Sequence, residues 1–169
     1  METKIICMRH SLYVENGNIS ELGAALAYTM GKHLAENNPV DVILTSPKLR
    51  ARQTAEILKL AMAFNGEIFP DEELDEYKDF MCFISGLQEK IRSTNWKNIL
   101  IVSHGPNLEH NLDYCGYYIQ SVSEKNTYKT EYVFPERPTI TRGEECCELS
   151  FKLPPDFTGM METLKKLPN

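Results

Sequence analysis

The stretch Asn98-Ile99-Leu100-Ile101-Val102-Ser103-His104-Gly105 decides how this chain reads. Four aliphatic residues in a row, with no polar alternation, mark a strand buried on both faces, the kind that fills a parallel sheet. Ser103, His104 and Gly105 sit just past its end. In open parallel sheets, ligands bind outside the carboxyl ends of the strands, and a Gly there lets a ligand approach the backbone.

Two further stretches share that form. Lys4–Met8 reads as a short buried strand and ends in Arg9-His10. Val40–Leu44 reads as another and is followed by Ser46, with Arg50 one turn into the next segment. Between these lie helical patterns. Ser20 offers an N-cap, and Leu22, Leu26, Met30 and Leu34 follow at spacing four until Pro39. Ser46-Pro47 opens a second helix carrying Leu49, Ala55, Leu58 and Met62 towards Gly66.

Beyond it, Glu67–Pro70 suits a short strand, Asp79–Arg92 a helix with Phe80, Phe83, Ile84, Leu87 and Ile91 on one side, and Asn107–Cys115 another helix. From Gly116 to Gly143 the pattern weakens, which suits an edge hairpin, a lid or an insertion. Glu145–Leu153 alternates like a late strand, and Thr158–Leu167 suits a terminal helix. The alternation predicts an α/β fold: three layers, α/β/α, around a mostly parallel central sheet, in a single domain over 1–169.

Composition narrows the function classes. The 169 residues are 42% hydrophobic and 25% charged, an ordinary globular balance. The net charge of −6 argues against a nucleic-acid-binding chain, while a local Arg cluster can still oppose the global sign. Ile5–Met8 is too short for a signal or membrane segment, and five cysteines without a C-x-x-C pair read as reduced thiols. The expectation is therefore a cytoplasmic protein with no membrane association.

The converging strand ends would assemble two Arg and two His, a set suited to a phosphoryl group. Guanidinium offers planar bidentate hydrogen bonds to phosphate oxygens and keeps its charge. A neutral imidazole can attack phosphorus and form a covalent intermediate, and a protonated second His can stabilise the equatorial oxygens. No Walker-type loop or Cys in a Gly-rich loop offers another route. His33 suits a helix C-terminal position, and His110 lies a turn or more from His104. No ligand-pair spacing supports a metal, and no cofactor is expected.

These residues carry a resemblance. Met8-Arg9-His10 looks like the R-H-G opening of the histidine phosphatase superfamily, which is phosphoglycerate mutase-like in fold. Ser46-Pro47-Lys48-Leu49-Arg50-Ala51-Arg52-Gln53-Thr54-Ala55 is similar to its S-P-x-x-R-A-x-Q-T-A block, and Ser103-His104-Gly105 to its S-H-G block. In size the chain resembles the small phosphohistidine phosphatase members. The resemblance implies that His10 is the phosphorylated nucleophile and that Arg9, Arg50 and His104, with Gly105, complete the phosphate pocket. It implies that Asn16 contacts phosphate and that Glu76, in Leu74-Asp75-Glu76, donates a proton to the leaving group. Five of the six residues Asp71–Glu76 are carboxylates, so Asp75 and Glu73 compete for that role.

Ser11 stands where the family has Gly, so a side chain there would either crowd the substrate or add a hydroxyl contact. The implied activity is hydrolysis of a phosphomonoester, on a small phosphorylated metabolite or a phosphohistidine protein. A mutase-type phosphotransferase and a phosphate-binding module without turnover are the alternatives. Ser123–Arg142 is a candidate lid.

Overall fold

The computed structural model describes residues 2–76, 78–108, 112–122, 128–133 and 154–168. Four stretches rich in aliphatic residues form parallel strands: β1 (Thr3–Arg9), β2 (Val42–Thr45), β3 (Ile68–Pro70) and β4 (Asn98–Ser103). A hairpin, β5 (Tyr117–Val122) and β6 (Tyr128–Val133), adds two antiparallel pairings. The sheet runs β3-β2-β4-β1-β5-β6, and only β5 opposes the direction of the rest. Pro70 is tolerated because β3 is an edge strand, where a missing ladder donor costs little.

Side chains alternate across the sheet and meet helices on both faces. Ile6, Met8, Ile43, Leu100 and Val102 pack with α1 (Glu21–Asn37), α2 (Leu49–Ala61) and α4 (Phe157–Leu164). Ile5, Cys7, Val42, Leu44, Ile99 and Ile101 pack on the other face with Phe83, Ile84 and Leu87 of α3 (Phe80–Ser93). This double burial is why the strands read as unbroken aliphatic runs. The expected three-layer α/β/α fold with a mostly parallel sheet is the one found.

Several boundaries differ from expectation. The second strand starts at Val42 rather than Val40, because the Asp41 carboxylate turns to accept the Lys97 and Asn98 amides at the start of β4, both at 2.8 Å. The helix expected over Asn107–Cys115 is not there in the described residues. A 3-10 turn, Gly105–Asn107, stands at its start, and beyond it Leu108 and Leu112 lie in one core and Cys115 in the other, on opposite faces of the sheet. One helical face cannot serve both. The Gly116–Gly143 stretch supplies an edge hairpin. The strand expected at Glu145–Leu153, the candidate lid at Ser123–Arg142 apart from Tyr128–Val133, and His110 lie outside the described residues.

Candidate active site

The register of the central strands brings the predicted residues together. Arg9 pairs with Ser103 across β1 and β4, and the His10 amide donates to the Ser103 carbonyl at 2.9 Å. Thr45 pairs with Val102, and the Ser46 amide donates to the Val102 carbonyl at 2.9 Å. His10, Ser46 and His104 therefore leave neighbouring strands at the same sheet edge. Pro47 precedes the N-cap Lys48, so α2 begins at once and Arg50 points back over that edge.

The side chains form one connected network. Arg50 Nε donates to His10 Nε2 at 3.1 Å, while Arg50 Nη2 donates to Glu76 Oε2 at 2.8 Å and lies 3.2 Å from His104 Nδ1. His104 Nε2 is 2.8 Å from Ser46 Oγ, and His10 Nδ1 is 2.8 Å from the Ser11 carbonyl oxygen. A guanidinium only donates and a carbonyl only accepts. His10 must then carry its proton on Nδ1 and a lone pair on Nε2. By the same reasoning His104 accepts at Nδ1 and donates from Nε2 to Ser46.

Both rings are almost sealed from solvent, His10 at 3% exposure and His104 at 0%. Burial pushes His10 down from 6.5 to about 3, against the raising effect of its Nδ1–H donation to the Ser11 carbonyl and with further lowering by His104, Arg50 and Arg9. Burial pushes His104 down to about 4, helped by Arg50 and opposed by Asp75. Both imidazoles are neutral near pH 7. That is the state in which a histidine nitrogen is a nucleophile.

Arg9 approaches from the other side. Its Nη1 donates to the Leu112 carbonyl at 2.7 Å, and its buried Nε has no hydrogen-bond partner among the described residues. A Cβ on Gly105 would lie 3.3 Å from Arg9 Nε and Cζ, so Gly105 leaves room for the guanidinium. Arg9 thus keeps one unmatched donor beside the two histidines, which suits an anionic oxygen.

Ser11 does not crowd the site. Its hydroxyl is fully buried and donates to the Gly23 carbonyl at 2.7 Å, and its amide donates to Thr54 Oγ1 at 3.0 Å. Gly23 is required there, because a Cβ would fall 2.1 Å from the Leu12 carbonyl oxygen. Glu76 is the carboxylate that reaches the network. Asp75 instead accepts the Glu76 amide at 2.7 Å and pairs with Lys48 at 3.4 Å, and Glu73 is exposed. Asn16 is not brought to the others: its carboxamide oxygen accepts the Asn18 amide at 3.0 Å and closes an exposed turn.

Thr54, Tyr13 and Tyr114 join the site without having been singled out from sequence for it, while Ser46 stands at the strand end where the sequence placed it. The Ser46 and Thr54 signal lay in the Ser46–Ala55 block, whose hydroxyls the geometry now employs. Tyr114 had no signal, since its segment looked helical. No cluster of three or more His, Cys, Asp or Glu suited to a metal occurs among the described residues, and no described helix is long and apolar enough to cross a membrane.

A mostly parallel α/β/α sheet with two histidines and two arginines at its carboxyl edge has the phosphoglycerate mutase-like fold. Residues 14–82 match the histidine phosphatase superfamily (branch 1), which bears out the recognition drawn from the sequence blocks. Among curated proteins no sequence match is found. The protein histidine phosphatase SixA, solved with tungstate, superposes with a TM-score of 0.65 at 18% identity, covering 77% of this chain and 97% of that one. Phosphoglycerate mutase from Bacillus anthracis gives 0.66 at 11% identity, over 78% and 92%. A phosphoserine phosphatase mutant from Entamoeba histolytica, with phosphoserine, gives 0.55 at 17%, over 77% and 96%. At these identities the likeness establishes the shared fold.

Proposed function

We propose that this protein is a phosphomonoesterase that works through a phosphohistidine intermediate on His10. The observation that carries the reading is the fixed tautomer of His10: Nδ1–H is held by the Ser11 carbonyl, so the Nε2 lone pair faces Arg50, which also bonds His104 and Glu76. An incoming phosphoryl oxygen takes over the Arg50 Nε–H and the unmatched Arg9 Nε–H. Nε2 then attacks phosphorus as the ester P–O bond breaks. Arg9 and Arg50 hold equatorial oxygens as charge redistributes, and His104, which takes a proton from solvent on Nδ1 once the anion displaces Arg50 from it, donates that proton to the third. Water attacks the phosphohistidine in the second step, releasing phosphate and restoring Nε2.

Glu76, relieved of Arg50 by the phosphoryl oxygens, takes the proton of the incoming phosphate monoanion, donates it to the leaving oxygen and then serves as the base for water, two steps of one cycle. Its hydrogen bond to Arg50 places it beside the group that binds the phosphoryl, which favours a small phosphorylated metabolite with an alcohol leaving group. A phosphohistidine protein is the competing substrate, supported by the likeness to SixA. Asn16 keeps its proposed phosphate contact only if its turn closes over the site. A phosphate-binding module without turnover would suit a Ser11 side chain that blocks the site, whereas the Ser11 hydroxyl turns inward and donates to the Gly23 carbonyl. The test is turnover of p-nitrophenyl phosphate by the wild type and His10→Ala. Turnover abolished in the variant is expected, and unchanged turnover refutes the reading.

A further inference from the structure

Three aromatic rings meet at the mouth of the site. His10 lies 5.3 Å from Tyr13 and 5.8 Å from Tyr114, and the two tyrosines are 6.5 Å apart in a T-shaped arrangement. Each tyrosine also covers one arginine. The Arg50 Cζ is 4.8 Å from the Tyr13 centroid, and the Arg9 Cζ is 4.1 Å from that of Tyr114. The rings that seal His10 therefore also cover both guanidiniums.

Both supports are stiff. Tyr13 opens a short turn: it bridges to Ile19, Val14 accepts from Gly17 and donates to Asn18, and the Ile19 amide is held by Gln53 at 2.6 Å. Tyr114 precedes Cys115, whose φ of 56° is left-handed and unusual for a residue with a Cβ. That turn is tied to the nucleophile strand by Arg9 N to Gly116 O at 3.0 Å, Cys115 N to Arg9 O at 3.1 Å, and Arg9 Nη1 to Leu112 O at 2.7 Å. A strained turn bonded at three points to Arg9 is a device for placing the side chain it carries. Tyr13 is different in one respect: it is 42% exposed, and the next residue, Val14, is also an exposed hydrophobe.

We propose that Tyr13 and Tyr114 are specificity-determining residues that select phosphoryl compounds whose alcohol leaving group carries a flat aromatic ring. The inference rests on the phosphatase reading of the same site and deepens it by naming a substrate class. A phosphoryl group reaching His10 Nε2 must pass these rings, and Tyr13, the exposed one, gives up contact with His10 and Arg50 to admit it. A flat ring on the substrate replaces those contacts by stacking. A saturated group of equal size replaces the buried area but not the ring geometry. Aromatic pairs contribute about 0.5–1.5 kcal/mol beyond area burial, which is roughly a 2- to 12-fold preference.

The test separates shape from reactivity by using ligands that cannot be hydrolysed. Benzylphosphonate and cyclohexylmethylphosphonate differ only in the ring, and their affinities are measured by calorimetry for the wild type, Tyr13→Leu, Tyr114→Leu and Tyr13→Phe. The wild type and Tyr13→Phe are expected to favour the benzyl compound by several-fold. Both Leu variants are expected to bind the two about equally. Equal binding by the wild type, or a preference that survives both Leu substitutions, overturns the inference. His10-dependent turnover of p-nitrophenyl phosphate is measured in parallel. Turnover without ring preference leaves the phosphatase reading standing and this inference refuted. Ring preference without turnover does the reverse, and binding of neither phosphonate removes both.

Discussion

Protonating the site should destabilise the fold, and the size of the effect follows from two buried imidazoles. In the unfolded chain a histidine titrates near 6.5, whereas His10 and His104 are held at about 3 and about 4. A depressed folded value means that the unfolded state binds protons first as pH falls. The stabilisation is therefore complete above about 6.5 and lost progressively towards the folded values. At about pH 5 the unfolded state gains RT ln(1 + 10^1.5), about 2 kcal/mol for each histidine, while both native rings remain neutral. Together they remove about 4 kcal/mol between about pH 7.5 and about pH 5, a large part of a typical domain stability of roughly 5–15 kcal/mol.

Urea unfolding at those two pH values, in phosphate-free buffer, measures the loss. The comparison is with the double variant His10→Gln/His104→Gln, which keeps every other titrating group. The wild type should lose about 4 kcal/mol more than the double variant over this range. Equal losses in the two proteins would refute the claim that both rings are buried and neutral in the native state. Any solvent reaching the site would raise the folded values and shrink the difference. The measurement is therefore also a test of how well Tyr13 and Tyr114 seal it.

Ser11→Gly removes the buried hydroxyl bonded to the Gly23 carbonyl and adds backbone freedom, so it should cost about 1–2 kcal/mol in urea unfolding. Turnover of p-nitrophenyl phosphate should survive that change within a few-fold, and a gain in turnover of tenfold or more would show that the hydroxyl obstructs the site. Glu76→Gln should lower kcat on an alkyl phosphate by roughly 100-fold or more, with little loss on p-nitrophenyl phosphate, whose leaving group needs no proton. Equal losses on both substrates would assign Glu76 to positioning Arg50 instead.

The sequence made the sheet edge legible and left its roof hidden, for a physical reason. Strand runs such as Ile99–Val102 are unbroken because both faces are buried, and that pattern is local. The polar residues that follow them are fixed by register, so His10, Ser46 and His104 were readable together. Leu108, Leu112 and Cys115 have nearly helical spacing, which predicts a helix over Asn107–Cys115, but they serve opposite faces of the sheet. What organises that loop is a set of hydrogen bonds to Arg9, about a hundred residues away in sequence, which no local pattern reports. Tyr114 was invisible for the same reason. Among the carboxylates of Asp71–Glu76, composition offered no choice. The geometry does choose, because only Glu76 of the three candidates bonds Arg50, while Asp75 turns to Lys48.

Ser11 was the residue where expectation was most open. A side chain in the place of a glycine beside a nucleophile suggests obstruction. Here it faces the first turn of α1, while its amide bonds Thr54 and its carbonyl orients the His10 ring. The same residue that departs from the family pattern thus sets the tautomer on which the proposed nucleophilic attack depends.

That proposal is tested most directly by trapping the phosphohistidine intermediate it requires. The protein is mixed with a radiolabelled phosphomonoester, quenched in denaturant at alkaline pH, and its label followed through acid treatment and peptide mapping. A phosphoryl group on the peptide containing His10, stable to base, released by acid and missing from His10→Ala, is the predicted result. Label on another residue, or full turnover by the wild type and by His10→Ala alike, would contradict the account.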